Sequence, residues 1–277
     1  MDDTLYKYNF NFKKKFGQNF LSDANLLRAI VADAGISEKD AVLEIGTGAG
    51  ALTRALSEKA KRVISYEIDR DLQPVLKETL AGLENVEVVF RDFAKEDLAS
   101  LEEELGEYWV VANLPYYITT PLVMRFAEES AKCKGLTVMV QEEVAARFAA
   151  RENTADYGAV TAALARRGRA EVVRKVPRAM FTPRPNVDSA IVRVDFTQGG
   201  FSVKSAKAYR DTVRCAFLSR RKTLENNLVG AFKLTREQAK DALSAAHVRD
   251  GARGETLSPQ ELGKLSDILF EKEIIKE

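Results

Sequence analysis

The 277-residue sequence predicts an α/β fold with a mostly parallel sheet of about seven strands and a smaller all-helical C-terminal domain. Three observations carry that prediction. Short apolar runs alternate with helix-period segments up to about residue 196, the pattern of successive βαβ units. Gly46-Thr47-Gly48-Ala49-Gly50 stands between a strand run and a helix run, where glycines let the backbone come close to a ligand. Beyond Gln198-Gly199-Gly200 only helical spacing remains, so the expected division is 1–198 and 199–277.

Taken in order, residues 1–21 form a basic, aromatic arm in which Lys13-Lys14-Lys15 stand among Tyr6, Tyr8, Phe10, Phe12, Phe16 and Phe20. Such an arm can grip a phosphate backbone and stack bases, or pack its rings on the domain. Ser22-Asp23 offers an N-cap to a helix from Ala24 to Ala34 that Gly35 ends. Ala41 to Ile45 is a strand leading into the glycine loop, and Ala51 to Lys59 is the helix behind it. The next strand, Arg62 to Glu67, ends in an acid about 20 residues on, placed to accept from ribose hydroxyls. Val86 to Asp92 is a further acid-ended strand, and Asp92 can accept from an adenine amine.

Gly46, Gly48 and Ala51 also satisfy the dinucleotide pattern G-x-G-x-x-A, which keeps a nicotinamide enzyme open. Glu44 inside the strand points elsewhere, because a carboxylate there suits a ligand bearing a sulfonium and an ammonium better than a pyrophosphate. An acidic helical stretch, Lys95 to Glu107, leads to Trp109-Val110-Val111-Ala112, a buried strand that runs into Asn113-Leu114-Pro115-Tyr116. Pro115 turns the backbone there and leaves an amide, two carbonyls and a ring at the sheet's carboxyl edge, where ligands of open α/β sheets bind. Pro121 is expected at the first position of the next helix. Leu136 to Val140, Glu171 to Val176 and Ser189 to Phe196 read as strands. Helices are expected over 141–150, after Gly158, and then at about 205–218, 221–231, 235–246 and 258–272. The proline-stiffened loop Met180 to Ser189 is expected to return beside the Asn113 turn.

Apolar content of 45% and charged content of 30% describe a soluble protein, and no run of about 18 apolar residues predicts a membrane helix. The acidic N-terminus with no apolar segment behind it predicts no secretory signal. Cys133 and Cys215 fall in helical patterns, and with one histidine, His247, they give no metal spacing and no His-based dyad. The expected compartment is the reducing cytoplasm. Net charge is +1, yet residues 84–107 hold nine acids and two bases, while 147–178 hold eight bases and three acids and 204–233 eight and two. A near-neutral average thus conceals a candidate basic face for phosphate, with Lys13, Lys14, Lys15, Arg147, Arg220, Arg221 and Lys222 as its RNA-binding candidates.

Five motifs in order, Gly17 to Leu21, Glu44 to Gly50, Asn113 to Tyr116, Phe181 to Ser189 and Arg220 to Leu224, give the chain its likeness. From about Lys13 to the C-terminus it resembles the small-subunit ribosomal RNA adenine-N6,N6-dimethyltransferases. The glycine loop is shared with many methyltransferases; the five together are specific. Phe93 after Asp92 departs from the small residue expected there. The resemblance implies a Rossmann-like class I methyltransferase sheet with a helical RNA-binding domain, S-adenosylmethionine as donor, and two adjacent adenines near the 3′ end of small-subunit rRNA as acceptors. It implies a pre-30S-type particle as partner and no metal; a monomer is the default expectation. Asn19 and Leu21 would close over the cofactor, Gly46 contact its methionine portion, Glu67 its ribose and Asp92 its adenine amine; Glu44 and Gly48 of the loop itself complete the cofactor-binding candidates. Asn113 would lie between cofactor and target, and Tyr116 and Phe181 would sandwich the target adenine.

The chemistry follows from the amine. An adenine N6 lone pair is delocalised into the ring, and accepting hydrogen bonds on both N–H groups restores it. The Asn113 side-chain oxygen and the Leu114 carbonyl are the expected acceptors. No strong base is needed beforehand, because the proton can leave after the methyl arrives, and alignment should supply much of the rate. Two other readings stay in view: a large-subunit rRNA adenine methylase of the antibiotic-resistance kind, and an RNA-binding assembly factor with secondary methylation.

Overall fold

The structure, a computed structural model, describes residues 2–8, 10–13 and 16–276. Its chain divides into two compact units, Met1–Ala145 with Glu171–Asp195, and Ala146–Ala170 with Phe196–Glu277. The sequence places a single cut near 198, whereas residues 146–170 already belong to the second unit. Continuity along the chain hides this, because Tyr157 and Ala162 share a core with Tyr209, Leu224 and Leu262.

The first unit opens with helix α1 (Asp2–Lys7), a helix the sequence reading does not contain, and strand β1 (Phe20–Leu21). Helix α2 (Ala24–Ala34) starts where Asp23 accepts from the Leu26 N–H at 2.8 Å and stops at Gly35 with φ 66°. Strand and helix then alternate as the spacing predicts: β2 (Ala41–Ile45), α3 (Ala51–Ser57), β3 (Arg62–Tyr66), α4 (Gln73–Thr79), β4 (Val86–Val89), α5 (Leu98–Leu105) and β5 (Tyr108–Asn113). Helix α6 (Thr119–Glu129) begins two residues before Pro121, so the proline is third and not first. The turn Pro115–Ile118 runs straight into it, with Thr119 Oγ1 donating back to the Pro115 carbonyl at 3.2 Å. A proline is tolerated there because first-turn N–H groups have no intrahelical partner.

Strand β6 (Cys133–Gln141) is longer than expected and takes in Cys133, which is therefore a strand residue. Helices α7 (Glu142–Phe148) and α8 (Ala159–Arg167) follow, then β7 (Arg169–Val176), β8 (Phe181–Thr182) and β9 (Ser189–Asp195). Seven strands form one sheet in the order β4-β3-β2-β5-β6-β9-β7. The strands from β4 through β6 pair parallel, and β9 runs antiparallel to β6. Val42, Leu43, Val110 and Val111 in the two central strands are at most 1% exposed, which is why those strands read as unbroken apolar runs. Strand order reverses between β2 and β5, so a crevice opens at their carboxyl ends.

In the second unit, α8 packs with α9 (Ala206–Ala216), α10 (Leu224–Phe232), α11 (Arg236–Ala245) and α12 (Pro259–Glu271). Thr235 with Gln238, and Ser258 with Glu261, form reciprocal caps that fix the starts of the last two helices. Among the described residues no helix is long and apolar enough to cross a membrane.

Candidate active site

The carboxyl ends of β2, β3 and β5, with the turn after β4, surround a cavity of about 250 Å³. Gly46 and Gly48 line it with φ of 87° and 56°, a region that side chains avoid, so the loop depends on glycine. The N–H groups of Gly46 and Thr47 both donate to the Tyr66 carbonyl, at 2.8 and 3.2 Å, which bends the loop over the end of β3. One Glu67 carboxylate oxygen accepts from Gly48 N–H and the other from Asp69 N–H, each at 2.8 Å. Burial pushes the Glu67 carboxyl up, and the N–H groups of Asp69, Gly48 and Ile68 oppose the shift. Asp92 lines the same cavity and accepts from Ala94 N–H at 3.1 Å, capping a short turn over Phe93–Lys95. The unexpected Phe93 is absorbed by packing: its ring is 5.1 Å from Tyr66 and 5.7 Å from Phe126.

Glu44 behaves differently from its sequence reading. It is fully buried and does not line the cavity. Burial, helped by the nearby Glu67 charge, pushes its carboxyl up to about 8, against the hydroxyls of Ser65 and Thr53, which both donate to Oε2 at 2.6 Å. Its Oε1 has no hydrogen-bond partner, so the charged form is poorly compensated. Ser65 Oγ in turn meets Thr47 Oγ1 at 2.6 Å, so Glu44 braces the loop from inside.

The N-terminal arm folds across the cavity. Phe16 to Leu21 line it, and Leu21 pairs with Phe181 where β1 meets β8 antiparallel. Lys13 Nζ sits 2.6 Å from Asp69 and 2.5 Å from Asp71, while Gln18 donates to Asp69 at 2.8 Å and accepts from Lys13 N–H at 2.7 Å. Burial raises the Asp69 carboxyl, but Lys13, Gln18 and the Asp71 N–H outweigh it and hold it below the usual range. Lys13, a phosphate candidate from sequence, here ties the arm to the sheet. Phe10, Phe12 and Phe20 pack on one another with centroids 5.4–6.0 Å apart. Lys14 and Lys15 lie outside the described residues.

The Asn113 turn forms the opposite wall. Asn113 Nδ2 donates to the Asn19 carbonyl at 2.9 Å, which commits the donor end of the amide and leaves Oδ1 as its acceptor. Leu114 and Tyr116 line the cavity too, and the Tyr116 hydroxyl meets Ser189 Oγ at 2.8 Å, so the loop before β9 does return beside this turn. Burial pushes the Tyr116 phenol up. Phe181 is the exception. It is 4% exposed, packs with Leu21, Leu27 and Ile30, and is absent from the cavity wall. Pairing with β1 turns its ring into the core of this structure. Sequence reasoning missed Gln18, Ile68 and Tyr117, all cavity-lining; Ile68 was signalled only by following Glu67 directly.

The basic candidates separate once partners are seen. Arg220 donates to the carbonyls of Ala155 and Tyr157, both at 3.0 Å, and so staples a loop. Arg174 pairs with Asp33 at 2.7 Å and Lys175 with Glu142 at 2.5 Å. Arg147, Arg221 and Lys222 are exposed in the helical unit.

A family model described as "Ribosomal RNA adenine dimethylase" matches residues 9–270. The chain is 43% identical over 277 residues to the ribosomal RNA small subunit methyltransferase A of Bacillus licheniformis, covering 97% of this chain and 95% of that one. It is 45% identical over 276 residues to the protein of the same description from Geobacillus thermodenitrificans, covering 97% and 94%. Among solved structures, the 23S rRNA methyltransferase ErmE superposes with a TM-score of 0.70 at 31% identity, covering 91% of this chain and all of that one. A dimethyladenosine transferase from Plasmodium falciparum gives 0.75 at 24% identity over 92% and 98%, a likeness of fold.

Proposed function

The chain belongs to the ribosomal RNA adenine dimethylase family, and on that premise we propose that it dimethylates N6 of two adjacent adenines near the 3′ end of small-subunit rRNA. The donor in this reading is S-adenosylmethionine. The small-subunit assignment is supported by relatives at 43% and 45% identity that carry that description, against 31% for the large-subunit methylase. The observation that carries the reaction is the Asn113 amide on the cavity wall, its donor end held by the Asn19 carbonyl.

The residues fit that donor. At Gly46, whose φ is 87°, the bare backbone of the loop faces the cavity opposite the Asn113 turn, 3.6 Å separating a would-be Cβ from the Asn113 carbonyl. Glu67 and Asp92 offer carboxylates for ribose hydroxyls and a base amine, and Ile68, 45% exposed, offers an apolar surface beside them. Asn19 and Leu21 would cover the bound molecule from the arm. When bound, S-adenosylmethionine supplies an electrophilic methyl group on a positively charged sulfur.

The chain's own work is at the amine. For the first methyl, Asn113 Oδ1 accepts from one N6–H and the Leu114 carbonyl from the other, since the Pro115 carbonyl already serves Ile118 N–H and Thr119. The monomethylated amine keeps one N–H for one of these acceptors in the second transfer. These bonds favour a pyramidal nitrogen with its lone pair directed at the methyl. A base must leave its stack to enter, at a cost of a few kcal/mol. Stacking on Tyr116 offsets about 1–3 kcal/mol of that.

In this reading the helical unit holds RNA through Arg221 and Lys222, the partner is a pre-30S-type particle, and the protein acts as a cytoplasmic monomer. Incubating unmodified small subunits with the protein and labelled donor, then locating the label by mass spectrometry, tests it. Two adjacent dimethyladenines near the 3′ end are expected; label confined to large-subunit rRNA would transfer the protein to the other branch.

A further inference from the structure

Pro115 to Ile118 form a four-residue turn closed by Ile118 N–H to the Pro115 carbonyl at 3.1 Å. Its two central residues are both tyrosines, and the fold treats them oppositely. Tyr116 is half-buried with its hydroxyl on Ser189, whereas Tyr117 lines the same cavity with 62% of its surface exposed. The other exposed aromatics among the described residues, Tyr6, Tyr8 and Phe12, are not on the cavity wall. One edge of the Tyr117 ring rests on Gly17, where a Cβ would lie 3.6 and 3.7 Å from Cε1 and Cδ1 and 3.3 Å from the Pro115 side chain. Gly17 has φ +61°, so the arm passes this ring as bare backbone and steadies it without covering it.

A large ring held at a cavity mouth and left to water has no packing role that explains its exposure. It does have the geometry of a stacking platform, because every base offers a π-face and aromatic side chains hold unstacked bases on theirs. Flipping one nucleotide also exposes a face of its neighbour, which needs a new partner.

We propose that Tyr117 is a second base platform, stacking on the nucleotide beside the target adenine at the cavity mouth while the target itself lies on Tyr116. The proposal rests on the reading of this site as an adenine methylating one. It makes Tyr117 a positioning residue for RNA, distinct from the acceptors at Asn113 and Leu114. With two adjacent adenines as substrate, the platform serves each in turn as the neighbour of the other.

The test is steady-state methylation of unmodified small subunits by wild type, Tyr117→Ala, Tyr117→Phe and Tyr117→Leu, with donor affinity by calorimetry and Tm for each. Losing one base–aromatic stack should raise the subunit KM of Tyr117→Ala about tenfold while kcat changes little. Tyr117→Phe should stay near wild type, and Tyr117→Leu should resemble the alanine variant, because it keeps apolar area without a π-face. An unchanged KM in Tyr117→Ala overturns the proposal, as does full rescue by leucine, or a loss of donor affinity as large as the rise in KM. A wild-type protein that methylates no adenine overturns the reading of the site as well, so the two failures are told apart.

Discussion

The two walls of the cavity are built on opposite plans. On the glycine-loop side the polar groups are fixed in place by the protein: both Glu67 oxygens are oriented by backbone N–H groups, and Glu44, Ser65 and Thr47 brace one another out of sight. On the Asn113 side one end of the amide is tied to Asn19, while Asn113 and the exposed Tyr117 both line the cavity. The first wall is prebuilt for a ligand of fixed shape. In the proposed reading the second keeps acceptors and aromatic faces for a base that arrives attached to RNA. Variants on one wall should therefore move donor affinity, and variants on the other should move transfer or RNA dependence.

The largest effect is expected at Asn113. Asn113→Ala removes an acceptor that matters most as charge develops on the amine, and transfer should fall about 10²–10³-fold, measured as single-turnover rate. Wild-type-like turnover would remove the residue from the mechanism. Next is the clasp. Lys13→Ala releases the arm from Asp69 and Asp71 and should weaken donor binding about fivefold through lost preorganisation, with little change in RNA affinity. If RNA affinity falls instead, Lys13 is a phosphate contact and the arm belongs to the other wall.

Smaller effects lie in the helical unit. Arg221→Ala and Lys222→Ala should each lower the salt slope of RNA binding by about one, whereas Arg220→Ala should lower Tm by freeing the carbonyls of Ala155 and Tyr157. A salt slope that responds only to Arg220 would reverse that division. The smallest effect concerns Glu44. Its carboxyl is raised on folding from 4.5 to about 8, so the stability it contributes is complete below pH 4.5 and lost as pH rises through 8. Glu44→Gln should flatten that decline in Tm between pH 5 and 8 and leave donor affinity near wild type. A large loss of donor affinity in this variant would restore a charged role for Glu44.

The sheet and its glycine loop were legible because burial on both faces writes unbroken apolar runs, and because left-handed turns call for glycine at fixed places. The Asn113 turn was legible for a similar reason, a proline directly after a buried strand. What escaped depends on partners far apart in sequence. The two-residue pairing of β1 with β8 has no periodicity to detect, yet it is what turns Phe181 into the core. Charge counting found the basic stretches but not that Arg174, Lys175 and Arg220 are engaged by Asp33, Glu142 and two backbone carbonyls. Glu44 looked like a ligand group because its position names a strand end and says nothing of solvent. Residues 146–170 changed units because a core is shared in space and not along the chain.

The division of labour between the walls is tested most directly by titrating S-adenosylmethionine into Asn113→Ala by calorimetry, on the same preparation used for single-turnover transfer. The account predicts donor affinity within a few-fold of wild type while transfer is nearly lost. A fall in donor affinity that matches the fall in transfer would contradict it.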